Sequence, residues 1–111
     1  MIGTISFALL GAAAQDPAAR PTEKMLAREP GMVLESLKGA DALQDCIGLA
    51  LKDLGRPVAV RDQGRRYVGF RKIDQNVLLI TIYETDPRRI EVRWTFAFNK
   101  KWRNRIRFCA T

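Results

Sequence analysis

Residues 58–98 read VAVRDQGRRYVGFRKIDQNVLLITIYETDPRRIEVRWTFAF, and their periodicity decides the fold. Val58 and Val60 alternate with Ala59 and Arg61, and Val68 and Phe70 alternate with Tyr67 and Arg71. Leu78, Ile80 and Ile82 alternate with Leu79, Thr81 and Tyr83. The most regular run places Ile90, Val92, Trp94, Phe96 and Phe98 against Glu91, Arg93, Thr95 and Ala97. Successive strand side chains point to opposite faces of a sheet, so each run presents one apolar face. Asp62-Gln63-Gly64, Asp74-Gln75-Asn76 and Thr85-Asp86-Pro87 supply turn chemistry between the runs. Four short strands joined by tight turns predict an antiparallel meander.

A meander with one apolar face needs a cover. Toward the N-terminus, Met32 to Leu54 changes to a helical period: Leu37, Leu43, Cys46, Ile47, Ala50, Leu51 and Leu54 recur at three- and four-residue intervals. Gly39 interrupts the run, so its stronger part begins near Ala40 or Asp41. Gly55, followed by Arg56-Pro57, stops it. The fold class expected is α+β, one main helix packed on a four-stranded antiparallel meander. Toward the C-terminus, residues 99–111 fit two patterns. As a helix, Asn99 caps it and Trp102, Ile106, Cys109 and Ala110 share a face. As a fifth strand, Trp102, Ile106 and Phe108 oppose Arg103, Arg105 and Arg107. The helix is preferred because it turns Cys109 inward, as the main helix does Cys46.

The start of the chain has a different character. Residues 1–14 hold an apolar run from Ile5 to Ala14 ending in Ala12-Ala13-Ala14, the pattern of a signal peptide with small residues before the cut, although no Lys or Arg precedes the run. Residues 15–30 contain three prolines and few large apolar groups, and are read as a flexible linker with a short turn of helix around Glu23 to Arg28. Residues 31–111 then form a single domain, and the expected location is periplasmic or secreted.

Cys46 and Cys109 stand 63 residues apart, which rules out a C-x-x-C redox pair. In an oxidising compartment, two inward-facing cysteines of a small domain are expected to form a disulfide. Closing a loop of this length would stabilise the fold by roughly 4 kcal/mol in the chain-entropy model.

The chain contains no histidine, which removes Ser-His-Asp and Cys-His nucleophile systems and leaves no zinc ligand set. No Gly-rich phosphate loop or calcium loop occurs, so neither cofactor nor metal is expected. Glu84, Asp86 and Glu91 gather around one hairpin among Arg88, Arg89 and Arg93, and read as salt-bridged carboxylates rather than an acid–base pair. A non-enzymatic role follows.

Charge is the remaining lead. The net charge of +7 is uneven: residues 15–54 hold five Lys/Arg against seven Asp/Glu, and residues 55–111 hold fourteen against five. Lys100, Lys101, Arg103, Arg105 and Arg107 put five cations in eight residues, with Trp102 and Phe108 interleaved. Cations beside aromatics suit phosphate-bearing partners, so Lys100, Lys101, Trp102, Arg103, Arg105 and Arg107 are candidate anion-binding residues. For an exported protein the partner is an anionic lipid or lipopolysaccharide surface. The competing explanation is a solvated helix face whose cations lie near a C-terminus that favours them. A protein partner is the second expectation, engaged through a sheet edge or the apolar face of Leu79, Thr81 and Tyr83. The alternative for a chain without a cleaved leader is cytosolic nucleic-acid binding through Arg65-Arg66, Arg71-Lys72, Arg88-Arg89 and the C-terminal cluster. Against it, Trp94, Phe96 and Phe98 share the core face and offer no base-stacking platform.

Overall fold

The computed structural model describes residues 21–72 and 75–111; the expected signal peptide (1–14) and the first part of the linker lie outside them. In chain order the elements are helix α1 (Glu23–Ala27), strand β1 (Met32–Ser36) and helix α2 (Ala40–Ala50), which runs into a 3-10 turn (Lys52–Leu54). Strands β2 (Val58–Asp62), β3 (Arg65–Lys72), β4 (Gln75–Tyr83) and β5 (Arg88–Trp94) follow, and helix α3 (Lys100–Ala110) closes the chain. The fold is α+β, with helices packed on one antiparallel sheet.

The sheet has five strands in the order β1-β5-β4-β3-β2, one more than the expected four. β2 to β5 form the meander, with Val68 opposite Ile80 and Ile80 opposite Val92. The β2–β3 hairpin turns through Gln63 (φ 43°) and Gly64 (φ 80°), the positive-φ pair that a two-residue turn needs to match strand twist. The additional strand is Met32–Ser36, which the helical reading of residues 32–54 had absorbed. It pairs with β5, Met32 opposite Val92 and Leu34 opposite Ile90. Leu37, assigned to the helical stripe, is 84 % exposed in the link that follows. A five-residue edge strand has too few positions to show a period, and its MVL run suits either geometry.

Gly31 fixes the entry to β1. Its N–H donates to the Val92 carbonyl at 2.8 Å. A β-carbon there would stand 2.5 Å from the indole of Trp94, so the ring lies directly over the backbone. At the other end, β5 stops at Trp94 rather than continuing to Phe98. The chain bends, and Phe98 returns to the core with its ring 5.1 Å from Trp94 and 5.6 Å from Phe96. All three aromatics belong to the core or its margin.

The two longer helices share one face of the sheet. α2 and its C-cap residue bury Leu43, Ile47 and Leu51 completely against Val68, Phe70, Leu78, Ile80 and Ile82. Each such side chain contributes roughly 1.5–3 kcal/mol of transfer free energy. Residues 100–110 are helix, which removes the fifth-strand alternative for this segment. Asn99 Oδ1 accepts from the Trp102 N–H at 3.3 Å, and Ile106 and Cys109 turn inward. The opposite face of the sheet carries Tyr67, Leu79, Thr81 and Glu91. There α1, inside the stretch read as a linker, sets Met25 against Tyr67 and Leu79. The C-terminal helix packs on the other face.

Candidate functional site

The cysteines pair. Cys46 on α2 and Cys109 on α3 form a disulfide with their Cα atoms 5.7 Å apart. It joins the two helices where their inward faces meet, so the geometry of the basic helix is tied to the main core.

The six candidate anion-binding residues divide into two groups. Arg105 and Trp102 are engaged within the fold. Arg105 Nη1 donates to the Ala50 carbonyl at 3.2 Å and pairs with Asp53 at 3.6 Å, and its guanidinium lies 4.8 Å from the Trp102 ring centre. Trp102 is half-buried against the core, with Lys101 Nζ 5.1 Å from its ring. Among the described residues no carboxylate pairs with Lys100, Lys101, Arg103 or Arg107. Arg107 meets only the neutral Asn104, at 3.1 Å. Arg103 is half-buried, and its Nε is sheltered without a hydrogen-bond partner. Nor does the helix dipole account for this charge. Lys100 and Lys101 occupy the first turn, which contains no acid, where the dipole disfavours cations; only Arg107 falls in the favoured last turn.

The basic residues of the sheet behave differently. Arg66 is held by Asp41 at the start of α2 and lies 3.5 Å from Glu84, which also takes two hydrogen bonds from Arg61. The hydrogen bond from Arg66 and its charge hold the Asp41 carboxyl below its usual range. Arg88 lies 3.9 Å from Asp86. Glu91 forms the tightest cluster: Arg89 Nε donates to it at 2.9 Å, Arg93 pairs with it at 3.0 Å and the Tyr83 hydroxyl donates at 3.1 Å. Burial pushes the Glu91 carboxyl upward, but hydrogen bonds from Arg89, Arg93 and Tyr83 outweigh it and hold the group below the ordinary carboxylate range. Tyr83 moves up, first through burial and then through the Glu91 charge. Arg93 Nε also donates to the Arg28 carbonyl at 2.7 Å, fastening the end of the α1 segment to β5. The carboxylates around the β4–β5 hairpin are salt-bridged, as the sequence predicts.

Two residues off the inward helical stripes complete the site: Phe108, interleaved among the basic residues, and Leu49, which was not singled out from the sequence. Phe108 is 76 % exposed and Leu49 is 69 % exposed. They flank an open groove of about 560 Å³ between α2 and α3, with the disulfide and Ala50 on its floor and Lys52, Asp53, Asn104 and Arg105 around it. Their signal in the sequence is that both are large apolar residues falling off the inward stripe of their helices.

Among the described residues no cluster of His, Cys, Asp and Glu could hold a metal ion, and no helix is long and apolar enough to cross a membrane. No protein-family model, curated protein or solved structure matches the sequence, so the geometry alone carries the functional argument.

Proposed function

We propose that this chain is an exported, non-enzymatic domain that binds an anionic lipid or lipopolysaccharide surface of the cell envelope through α3. The observation that carries this reading is the pairing pattern of the cations. In the sheet Arg61, Arg66, Arg88, Arg89 and Arg93 each face a carboxylate, whereas on α3 Lys100, Lys101, Arg103 and Arg107 face none among the described residues. Cations held in a helix's first turn against its dipole are better stabilised by an external anion than by water alone. The exposed Phe108 on the same helix suits an interface of charged headgroups over acyl chains. A disulfide linking the only two cysteines supports an oxidising compartment, in keeping with the signal-like residues 1–14.

The pattern favours this over the two rivals. Nucleic-acid binding needs a continuous basic track, yet Arg66, Arg88 and Arg89 in the sheet each face a carboxylate. Capture of a protein through the face of Leu79, Thr81 and Tyr83 is disfavoured because Leu79 and Thr81 are 0 % and 1 % exposed.

Co-sedimentation with vesicles of phosphatidylglycerol and of phosphatidylcholine tests the reading. Binding to the anionic vesicles should fall as salt rises. The double variant Lys100→Gln/Lys101→Gln should lose about thirtyfold in affinity, from about 1 kcal/mol per basic residue at an anionic surface. Equal binding to both vesicle types, or none to either, would overturn it.

A further inference from the structure

We propose that the groove between α2 and α3 takes one acyl chain of an anionic lipid whose phosphate is met by the cations beside it. This deepens the proposed surface binding and rests on that reading. The groove has the form expected of a chain site rather than of a surface anchor. A residue that only inserts into a bilayer stands on a convex surface, but Leu49 and Phe108 stand on either side of a concavity, on two different helices. Its floor is the Cys46–Cys109 bridge and the methyl group of Ala50, which offer no strong hydrogen-bonding group. An acyl chain asks for none.

Charge selects the occupant. Lys101, Arg105 and Phe108 follow one another at i, i+4 and i+7 on one stripe of α3, and since Arg105 is held by Asp53 and the Ala50 carbonyl, Lys101 is the cation of that stripe left for an anion. Lys52 adds a further cation from the α2 side. Asp53 is the one acid lining the groove, and Arg105 already faces it at 3.6 Å. A net positive rim above an apolar floor is complementary to an anionic headgroup above its chain. The same net positive charge on both copies opposes a contact of this face with a second copy of the chain.

The test is an amide NMR titration of the full disulfide-bonded chain with monomeric lauroyl lysophosphatidylglycerol, and in parallel with glycerophosphoglycerol, which has the headgroup and no chain. The lipid should produce saturable shifts at Ala50, Phe108 and Cys109 that the chainless compound does not. Phe108→Ala and Leu49→Asn change exposed side chains and should keep the spectrum elsewhere intact. Each should weaken lipid capture by roughly tenfold, the loss expected when an apolar wall is cut back. Identical shifts with glycerophosphoglycerol would reduce the site to phosphate recognition and overturn the proposal, leaving the surface-binding reading standing. Capture of the monomer without any binding to anionic vesicles would support the groove and sink the surface reading. Shifts at the same amides on raising protein concentration alone, or with an acidic amphipathic peptide and not the lipid, would assign the groove to another occupant and overturn it.

Discussion

The arginines of the sheet and the cations of α3 belong to one basic half of the chain, yet they are built into the molecule in opposite ways. Glu91 is surrounded by Arg89, Arg93 and Tyr83, and Glu84 by Arg61 and Arg66, so each of these four sheet arginines faces a carboxylate. On α3 the only carboxylate contact among the described residues is that of Arg105 with Asp53. A net charge of +7 is therefore not one property of this protein. Part of it is internal structure, and part of it is free charge displayed on a helix that the disulfide holds in place.

Breaking the disulfide should give the largest effect. Cys46→Ser/Cys109→Ser releases a loop spanning 63 residues, and the chain-entropy model puts the loss at about 4 kcal/mol. Denaturant unfolding with and without reductant checks it: the wild type should fall to the level of the variant on reduction, and the variant should not respond. If reduction leaves stability unchanged, α3 is held by its packing and by Arg105 without need of the bridge.

Glu91→Gln tests the sheet's side of the contrast. It leaves the largely buried Arg93 and the half-exposed Arg89 without their counter-charge, a cost of about 1–3 kcal/mol. The carboxyl's acidity is raised in the fold, so its stabilising contribution is full above the unfolded value of 4.5 and is lost as pH falls through the lower folded value. Urea unfolding of the two proteins should differ at neutral pH and converge as the pH is lowered below 4.5. A gap that stays constant with pH would mean that the group acts by packing.

Lys100→Glu sharpens the comparison from the other side. Replacing a first-turn cation by an acid should leave stability within about 0.5 kcal/mol of wild type or raise it. The same change should weaken binding to phosphatidylglycerol vesicles. A thermal melt and a sedimentation assay on one preparation check both, and parallel losses in the two would mean that Lys100 has a structural role.

Much of this was legible in the sequence, for reasons that differ by region. Strands β3 to β5 and the span of α2 follow from periods long enough to declare themselves, and the Cys46–Cys109 pairing follows from two inward positions. β1 was not legible, because what defines Met32–Ser36 as a strand is its pairing with Val92 and Ile90 some sixty residues away in the chain. The burial of Leu79 was hidden for a similar reason: its partner Met25 sits in a proline-flanked stretch whose composition points to a tether. At the site, the basic cluster itself was plain from Lys100 to Arg107. Which members stay unpaired was not, since that depends on where Asp53 and the Ala50 carbonyl come to lie relative to Arg105.

The most direct test of the central claim removes equal charge from the two regions. Affinity for phosphatidylglycerol vesicles is measured for Lys100→Gln/Lys101→Gln/Arg107→Gln and for Arg61→Gln/Arg88→Gln/Arg89→Gln, each confirmed as folded. The account predicts a loss of roughly a hundredfold for the helix set, from about 1 kcal/mol per cation, and little change for the sheet set. Equal losses would show that binding follows net charge alone and would contradict the distinction on which the account rests.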